Sequence, residues 1–406
     1  MEKETSRNDQ HVLSDQPLNL ERSLGLTSLS NVSFVSSYHS GEIAYACGGV
    51  TVIYDAVKNK QTHFFKSRIV SCISYSKDDK YLAIGERGPT PVIQIWEIAS
   101  EKIVATLCGH KHGVGCITFS PDNKYLVSVG FKQDRQLITW DWQATKPERV
   151  STNKLGNKVK SIIFSPDGDY FITCGDRHLK WWYLNENSLN SQYDDPTSGS
   201  SRVDVVGKPA SILEALQDAV FTDVCIGSGV AHGYVYCSTS SGALCIFHDN
   251  RIMDRWVQLD SPVAFCISMF TPEEVSNPSK NAQQQAFLII GCGNGTIHLL
   301  DPLTLTYRAT LPTPLRLPTA TGVISDSFES PRASRESEES TDPAALYPAC
   351  YALRFLSNQI STGGSSLSSP LRVAAVYADK SLFVWEVNTV AEKASSHAVY
   401  NFAKYR

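Results

Sequence analysis

The 406-residue sequence predicts an all-β fold, a seven-bladed β-propeller of four-stranded antiparallel blades. Three observations carry that expectation. The stretch Gly109–Trp142 fits three short apolar runs and their turns into 34 residues, which is one sheet of a radial array and too little for a domain. Seven residues at corresponding places, Tyr54, Trp96, Trp140, Trp182, Phe247, Leu300 and Trp385, end similar runs, and the first four are spaced by 42, 44 and 42 residues, the period of such a blade. Hydrophobic residues make up 42% and charged residues 19%, with 25 glycines and 19 prolines, a composition suited to a turn-rich β protein.

Taken in order, residues 1–20 are polar and expected to be disordered, and Leu20–Thr27 reads as a lone strand. The propeller is expected over 21–387. Blade one (about 29–66) runs through NVSFV and EIAYACGG to VTVIYD, and blade two (about 68–107) through IVSCISYSKDDKYLAIG to VIQIWEI. Blade three is Gly109–Trp142 with a further strand near Glu148–Thr152, and blade four starts near 158 with VKSIIFSPDGDYFITCGDRHLKWWYL. The later copies are looser: Phe247 and Leu300 stand where Trp is expected in blades five and six, and RVAAVYADKSLFVWEV restores the pattern in blade seven. Insertions at 185–218, 271–285 and 313–345 fall in loops; the first holds Pro209–Asp218, a short helix by its leading proline, and the last is Ser/Glu/Pro-rich and expected to be disordered, with Ser330 before Pro331 as a candidate phosphosite. Residues 388–406 form a tail or lead-in. The ring closes with Leu20–Thr27 as the fourth strand of blade seven, or else with Ser396–Phe402.

The most chemical-looking segment is the same Gly109–Trp142. Asp134 lies six residues before Trp140, so a tight turn at the Asp feeds a strand that ends on the indole. His110, Ser128, Asp134 and Trp140 then form one buried set, with Asp accepting from turn amides and His, and Ser bridging His to the indole N–H. The pairs Asp176/Trp182 and Asp379/Trp385 repeat the spacing of six. The resemblance to a WD-repeat blade, whose Gly-His and Trp-Asp dipeptides stand at this separation, implies that these residues hold a sheet together and catalyse nothing. His110 and His112 lack a third ligand for a metal, and Gly291, Gly293 and Gly295 do not open a helix as a phosphate loop does. With no Walker loop, G-x-S-x-G or H-E-x-x-H, the reading is no enzyme, no cofactor and no metal. Eleven cysteines without a C-x-x-C are expected to be free, buried thiols of a reducing compartment. No stretch approaches a membrane span and the first 20 residues lack the apolar core of a signal peptide, which predicts an intracellular, cytoplasmic protein. The expected partners are proteins, not nucleic acid or membrane.

One face carries the functional signal. The loop entering each blade and the loop between its second and third strands open on one rim, and on blades two to four these loops hold Arg68, Arg87, Lys111, His112, Lys132, Arg135, Lys158 and Arg177, against Glu86, Asp134 and Asp176. On a chain of net charge −4, such an arc predicts an acidic or phosphorylated partner.

The Gly-His and Trp-Asp dipeptides of Gly109–Trp142 resemble those of a WD-repeat blade. The segments GHKHGVGCITFSP, LVSVGFKQD, VSTNKLGNKVKSIIFS, DYFITCGDRHLKWWYL, AVFTDVCIG, ALYPACYALRF and LFVWEV, in order over Leu24–Val387, are similar to the family of the mitogen-activated protein kinase-binding protein 1 and its paralogue, the microcephaly-associated spindle-pole WD-repeat protein. The resemblance implies a non-enzymatic scaffold of c-Jun N-terminal kinase signalling and of spindle poles or centrosomes, placed in the cytoplasm and cytoskeleton. It also implies a second propeller, with HAVYNFAKYR as its lead-in, and a C-terminal tail carrying the kinase-docking segment and any self-association. The alternative, a substrate adaptor of a cullin-type ubiquitin ligase, uses a Trp-Asp-x-Arg motif; here Gln143 follows Trp140-Asp141-Trp142, and Trp96 leads to Glu97-Ile98-Ala99. A propeller enzyme would need converging carboxylates in its channel, where the inward runs are Val, Ile, Ala and Ser.

Overall fold

The structure, a computed structural model, describes residues 20–28, 30–185, 204–213, 216–270, 286–311, 347–356, 371–387 and 396–401, the last in backbone only. The expected disorder of 1–19, the loops 271–285 and 313–345, and Ser330 lie outside the described residues. No α-helix occurs among those described, and none is long and apolar enough to cross a membrane.

The described strands form seven four-stranded antiparallel sheets, and the strands of every sheet are consecutive in sequence. The first strands of blades one to seven are Phe34–Ser36, Ile69–Tyr75, Val114–Phe119, Val159–Phe164, Phe221–Ile226, Ala264–Phe270 and Cys350–Leu356. They touch in cyclic order and line the centre of the ring. Burial explains why the runs differ in pattern. The second strand of blade three, Tyr125–Gly130 (YLVSVG), is buried at every position because neighbouring blades cover both faces, and it is accordingly almost continuously apolar. The fourth strand of blade two, Lys102–Cys108, lies at the periphery and buries only Ala105 and Leu107. Each neighbouring pair of blades shares one hydrophobic cluster, including the pair formed by blades seven and one.

The turns between first and second strands follow from local sequence. In SKDD, SPDN and SPDG the leading serine hydroxyl accepts the amide of Tyr81, Tyr125 or Tyr170, at 2.9, 2.9 and 3.2 Å. The fourth residue, Asp79, Asn123 or Gly168, has φ of 55°, 61° or 82°, the left-handed region in which Asp, Asn and Gly are the residues least penalised.

Two boundaries differ from the sequence reading. Asp204–Pro209 is the fourth strand of blade four, so part of the stretch 185–218 belongs to the sheet; Pro209 ends a strand, and the described residues of Pro209–Asp218 form no α-helix. At an outer edge, a proline needs no ladder partner for its missing N–H, which is why a residue suited to starting a helix is tolerated here. Ser396–Asn401 pairs with Leu382–Val387 as the fourth strand of blade seven, which takes part of the expected tail into the ring.

Leu20–Thr27 does not supply that strand. It runs beside blade one, where the Thr27 amide donates to Ala46 at 2.8 Å, and Leu26 packs in the seam between blades seven and one. The chain then passes through the middle of the ring. Asn31, 4% exposed, donates through Nδ2 to the Asp223 carboxyl of blade five and to the Ile267 carbonyl of blade six, and accepts the Leu353 amide of blade seven at 2.8 Å. The Arg354 guanidinium holds the Asn31 carbonyl at 2.8 Å, and Ile73 of blade two donates to Val32 at 2.7 Å. One short segment therefore bonds to four blades.

Candidate functional site

Blade three carries the hydrogen-bonded set, positioned by three elements: the loop into the blade (His110), the second strand (Ser128) and the loop and strand that follow (Asp134, Trp140 in Gln136–Asp141). Trp140 Nε1 donates to Ser128 Oγ at 2.7 Å, Ser128 Oγ lies 2.7 Å from His110 Nε2, and His110 Nδ1 lies 2.5 Å from Asp134 Oδ2. An indole can only donate and a carboxylate can only accept, so the protons run one way: indole to serine, serine to Nε2, Nδ1–H to carboxylate. Burial lowers the His110 pKa despite the opposing pull of Asp134, in keeping with a neutral ring. All three of these hydrogen bonds are internal to blade three, and the His110 and Asp134 side chains are each 1% exposed.

Blade four keeps the spacing and changes the wiring. Trp182 Nε1 donates to Thr173 Oγ1 at 2.8 Å, and Thr173 Oγ1 lies 2.7 Å from Nε2 of His178. His178 comes from the third strand, His178–Asn185, and substitutes for the loop histidine that this blade lacks. Asp176 stands outside this set: its side chain is 39% exposed and lies 3.4 Å from Lys160. In blade seven Asp379 caps its own turn through the Ser381 amide (3.0 Å) and hydroxyl (2.6 Å), while Trp385 stacks on Phe383 in the core shared with blade six. Asp134 alone of the three aspartates reaches a histidine, because the other two blades have none at the position of His110.

His178 and Asn31 escaped sequence reasoning. The histidine was visible only as the residue after Asp176-Arg177, and nothing local distinguishes Asn31, whose partners lie 192 to 323 residues away.

All eight rim residues are exposed. The loops of blades two and three that carry them are stitched together: Gly88 donates to the His112 carbonyl at 3.3 Å and Arg87 lies over the Phe131 ring at 5.9 Å, while within blade three Phe131 donates to Gly113 at 3.0 Å. Arg135 and Arg177 follow Asp134 and Asp176 in left-handed turns with φ of 53° and 47°, and His112 has φ 68°. Arg177 lies 3.8 Å from Asp218 and Asp176 faces Lys160, so the arc is partly neutralised at blade four. Arg87, Lys111, Lys132 and Arg135 have no ion-pair partner within 4.0 Å among the described residues. Ile69, next to Arg68 and opposite Arg87 in the strand register, is 60% exposed.

The described residues gather no group of three His, Cys, Asp or Glu side chains fit to hold a metal. The eleven cysteines are free; nine are buried, and burial pushes the thiols of Cys72, Cys225, Cys245 and Cys292 up to about 12.

The ring of seven four-stranded sheets with the blade-three set defines a WD-repeat β-propeller, and the WD domain, G-beta repeat family matches residues 101–141 and 149–183. Within that class the chain is homologous to the mitogen-activated protein kinase-binding protein 1 of Mus musculus, at 34% identity over 91% of this chain and 22% of the relative. It is also homologous to WD repeat-containing protein 62 of Sus scrofa, at 31% identity over 92% of this chain and 22% of the relative. More distantly, it is similar to the cilia- and flagella-associated protein 52 of Chlamydomonas reinhardtii, at 24% identity over 70% of this chain and 43% of that protein. The chain thus spans about a fifth of the length of the first two curated relatives.

Proposed function

We propose that this propeller is a non-enzymatic protein-interaction scaffold whose partner-binding surface is the positive rim of blades two and three. The observation that carries the reading is the set of cations without an ion-pair partner among the described residues, Arg87, Lys111, Lys132 and Arg135, with the exposed Ile69 opposite Arg87, on a chain with more acidic than basic residues. A cationic rim with an apolar centre fits an acidic or phosphorylated segment that ends in van der Waals contact. The centre of the ring supports the same reading, since the Asn31 side chain is bonded there to blades five, six and seven, where a channel enzyme would hold its substrate.

One relative is named for binding a mitogen-activated protein kinase and another for association with cilia and flagella. These names, with the spindle-pole resemblance of the sequence, support a role in kinase signalling at the cytoskeleton. The test is affinity capture from dividing cells with the unaltered chain and with Lys111→Glu, Lys132→Glu, after circular dichroism shows that both are folded. Loss of kinase-pathway or spindle-pole proteins from the variant is expected. Retention of every captured partner would remove the rim from the reading, and capture of ligase subunits in their place would replace the scaffold with an adaptor.

A further inference from the structure

Blade two lacks the set that closes blade three, and its substitute is incomplete. The strand registers align the two blades: Glu86 opposes Val70 as Gly130 opposes Val114, and Ile84 opposes Ile73 as Ser128 opposes Ile117. In blade three a Cβ at Gly130 would overlap the Asp134 carboxyl, so the side chain of Glu86 enters the space that Asp134 fills there. Counting back from the aligned valines puts Lys66 at the position of His110, and the loop puts Thr90 at that of Asp134. Blade two therefore has a carboxyl in the place of the aspartate and no histidine to donate to it.

The consequence is visible. Glu86 is 2% exposed; its Oε1 accepts the Arg68 amide at 3.1 Å, and its Oε2 has no hydrogen-bond partner among the described residues. Trp96, the counterpart of Trp140, donates to Gln94 Oε1 at 3.2 Å instead of to a serine. A pocket of about 310 Å3, lined by Lys66, Ser67, Arg68, Glu86, Val92 and Gln94, opens there on the positive rim. That volume is at the small end of ligand sites, about 300–1,000 Å3, and exceeds the roughly 30 Å3 of a single water many times over. A buried carboxyl oxygen without a donor is costly and calls for one. The cationic heads lining the pocket do not supply it: Lys66 makes no ion pair with Glu86 within 4.0 Å, and the Arg68 guanidinium reaches Thr90 Oγ1 at 3.4 Å.

We infer that this blade-two pocket receives one basic side chain of the partner, its charged end on Glu86 and its methylenes against Val92, while Lys66 and Arg68 at the mouth hold the acidic residues that flank it. The inference rests on the rim as the binding face and adds which residue of the partner is read. An acidic segment without a basic residue would satisfy the rim and leave Glu86 unpaired.

The probes are an acetylated, amidated pentapeptide of four glutamates around a central arginine, its counterpart with lysine, and one with norleucine. They are titrated against the full chain while the Arg68 amide and Gln94 side-chain amide signals are followed by NMR. The arginine or lysine peptide is expected to shift those signals saturably and to bind about tenfold or more tightly than the norleucine peptide. Glu86→Gln, which can still accept from the Arg68 amide, is expected to abolish that preference and keep the fold. Equal binding of all three peptides, or a preference that survives Glu86→Gln, would overturn the inference. So would a fall in thermal stability of Lys66→Met in a chain that shows no preference, since that assigns Glu86 to Lys66. Lys111→Glu with Lys132→Glu should weaken all three peptides alike; if it does not while the preference persists, the broader rim fails and the pocket stands.

Discussion

Asp134 and Asp176 occupy the same sequence position, six residues before a tryptophan, and differ in what removing them leaves behind. Asp134→Ala strips His110 Nδ1–H of its acceptor in a space that water does not reach, and should cost about 1–3 kcal/mol in denaturant unfolding. Asp176→Ala breaks a half-exposed pair with Lys160 and should cost under about 1 kcal/mol. Equal losses would contradict the assignment of His178 as the functional substitute in blade four. The histidines also set a pH dependence. Burial, with a smaller contribution from Lys180, holds His178 at about 4 in the fold, against about 6.5 in the unfolded chain. As pH falls through that window the unfolded state takes the proton first. Stability is then full above about 6.5, declines by up to roughly 1.4 kcal/mol per unit, and levels off below the folded value. His110, lowered in the same direction, adds to the decline. His178→Gln should flatten the acid limb of melting temperature against pH; an unchanged limb would show that His178 takes up its proton equally in the folded and unfolded chain.

At the scale of elements, the repeated geometry outlasts the repeated letters. The pairing of third with fourth strands shifts register next to Tyr54, Trp96, Trp140, Phe247, Leu300 and Trp385, six of the seven marker positions, whether the residue is Trp, Tyr, Phe or Leu. A bulge there increases the twist that lets a flat strand pair fit a wedge-shaped blade, and any large apolar side chain can fill the seam. This is why the period of the markers was legible in the sequence even where the Trp-Asp dipeptide was lost. The segment 30–33 was not legible, because its bonds go to blades far away in sequence. Asn31→Ala leaves the Leu353 amide without an acceptor and Asp223, whose pKa burial raises, without one of its donors. A loss of about 2–4 kcal/mol is expected in denaturant unfolding, more than for any one exposed rim cation. A loss within about 0.5 kcal/mol would mean that water replaces the side chain.

For the whole molecule the question is how a ring of consecutive blades stays shut. No blade is shared between the two ends of the described chain, so blade seven depends on Ser396–Asn401 for its outer edge, and the seam to blade one depends on the cluster that includes Leu26. Removing 396–406 should expose the edge of Leu382–Val387, lower the melting temperature by roughly 5 °C or more and promote association through that edge. Removing 1–28 should open the seam and cost stability without creating an edge. If the first truncation were silent, the strand would be dispensable. The sequence by itself determined the class: apolar runs of strand length, turn residues at fixed offsets and a constant marker period state a seven-bladed ring, and one buried set states its best-satisfied blade. Only the tertiary structure decided which side chains complete each blade, where the chain crosses the centre, and which carboxyl is left without a donor. The bonds of Asn31, between residues hundreds of positions apart, leave no period in the chain and exist only once distant blades have met at the centre; those that complete a blade, such as Thr173 with His178, depend on which side chains strand pairing sets face to face.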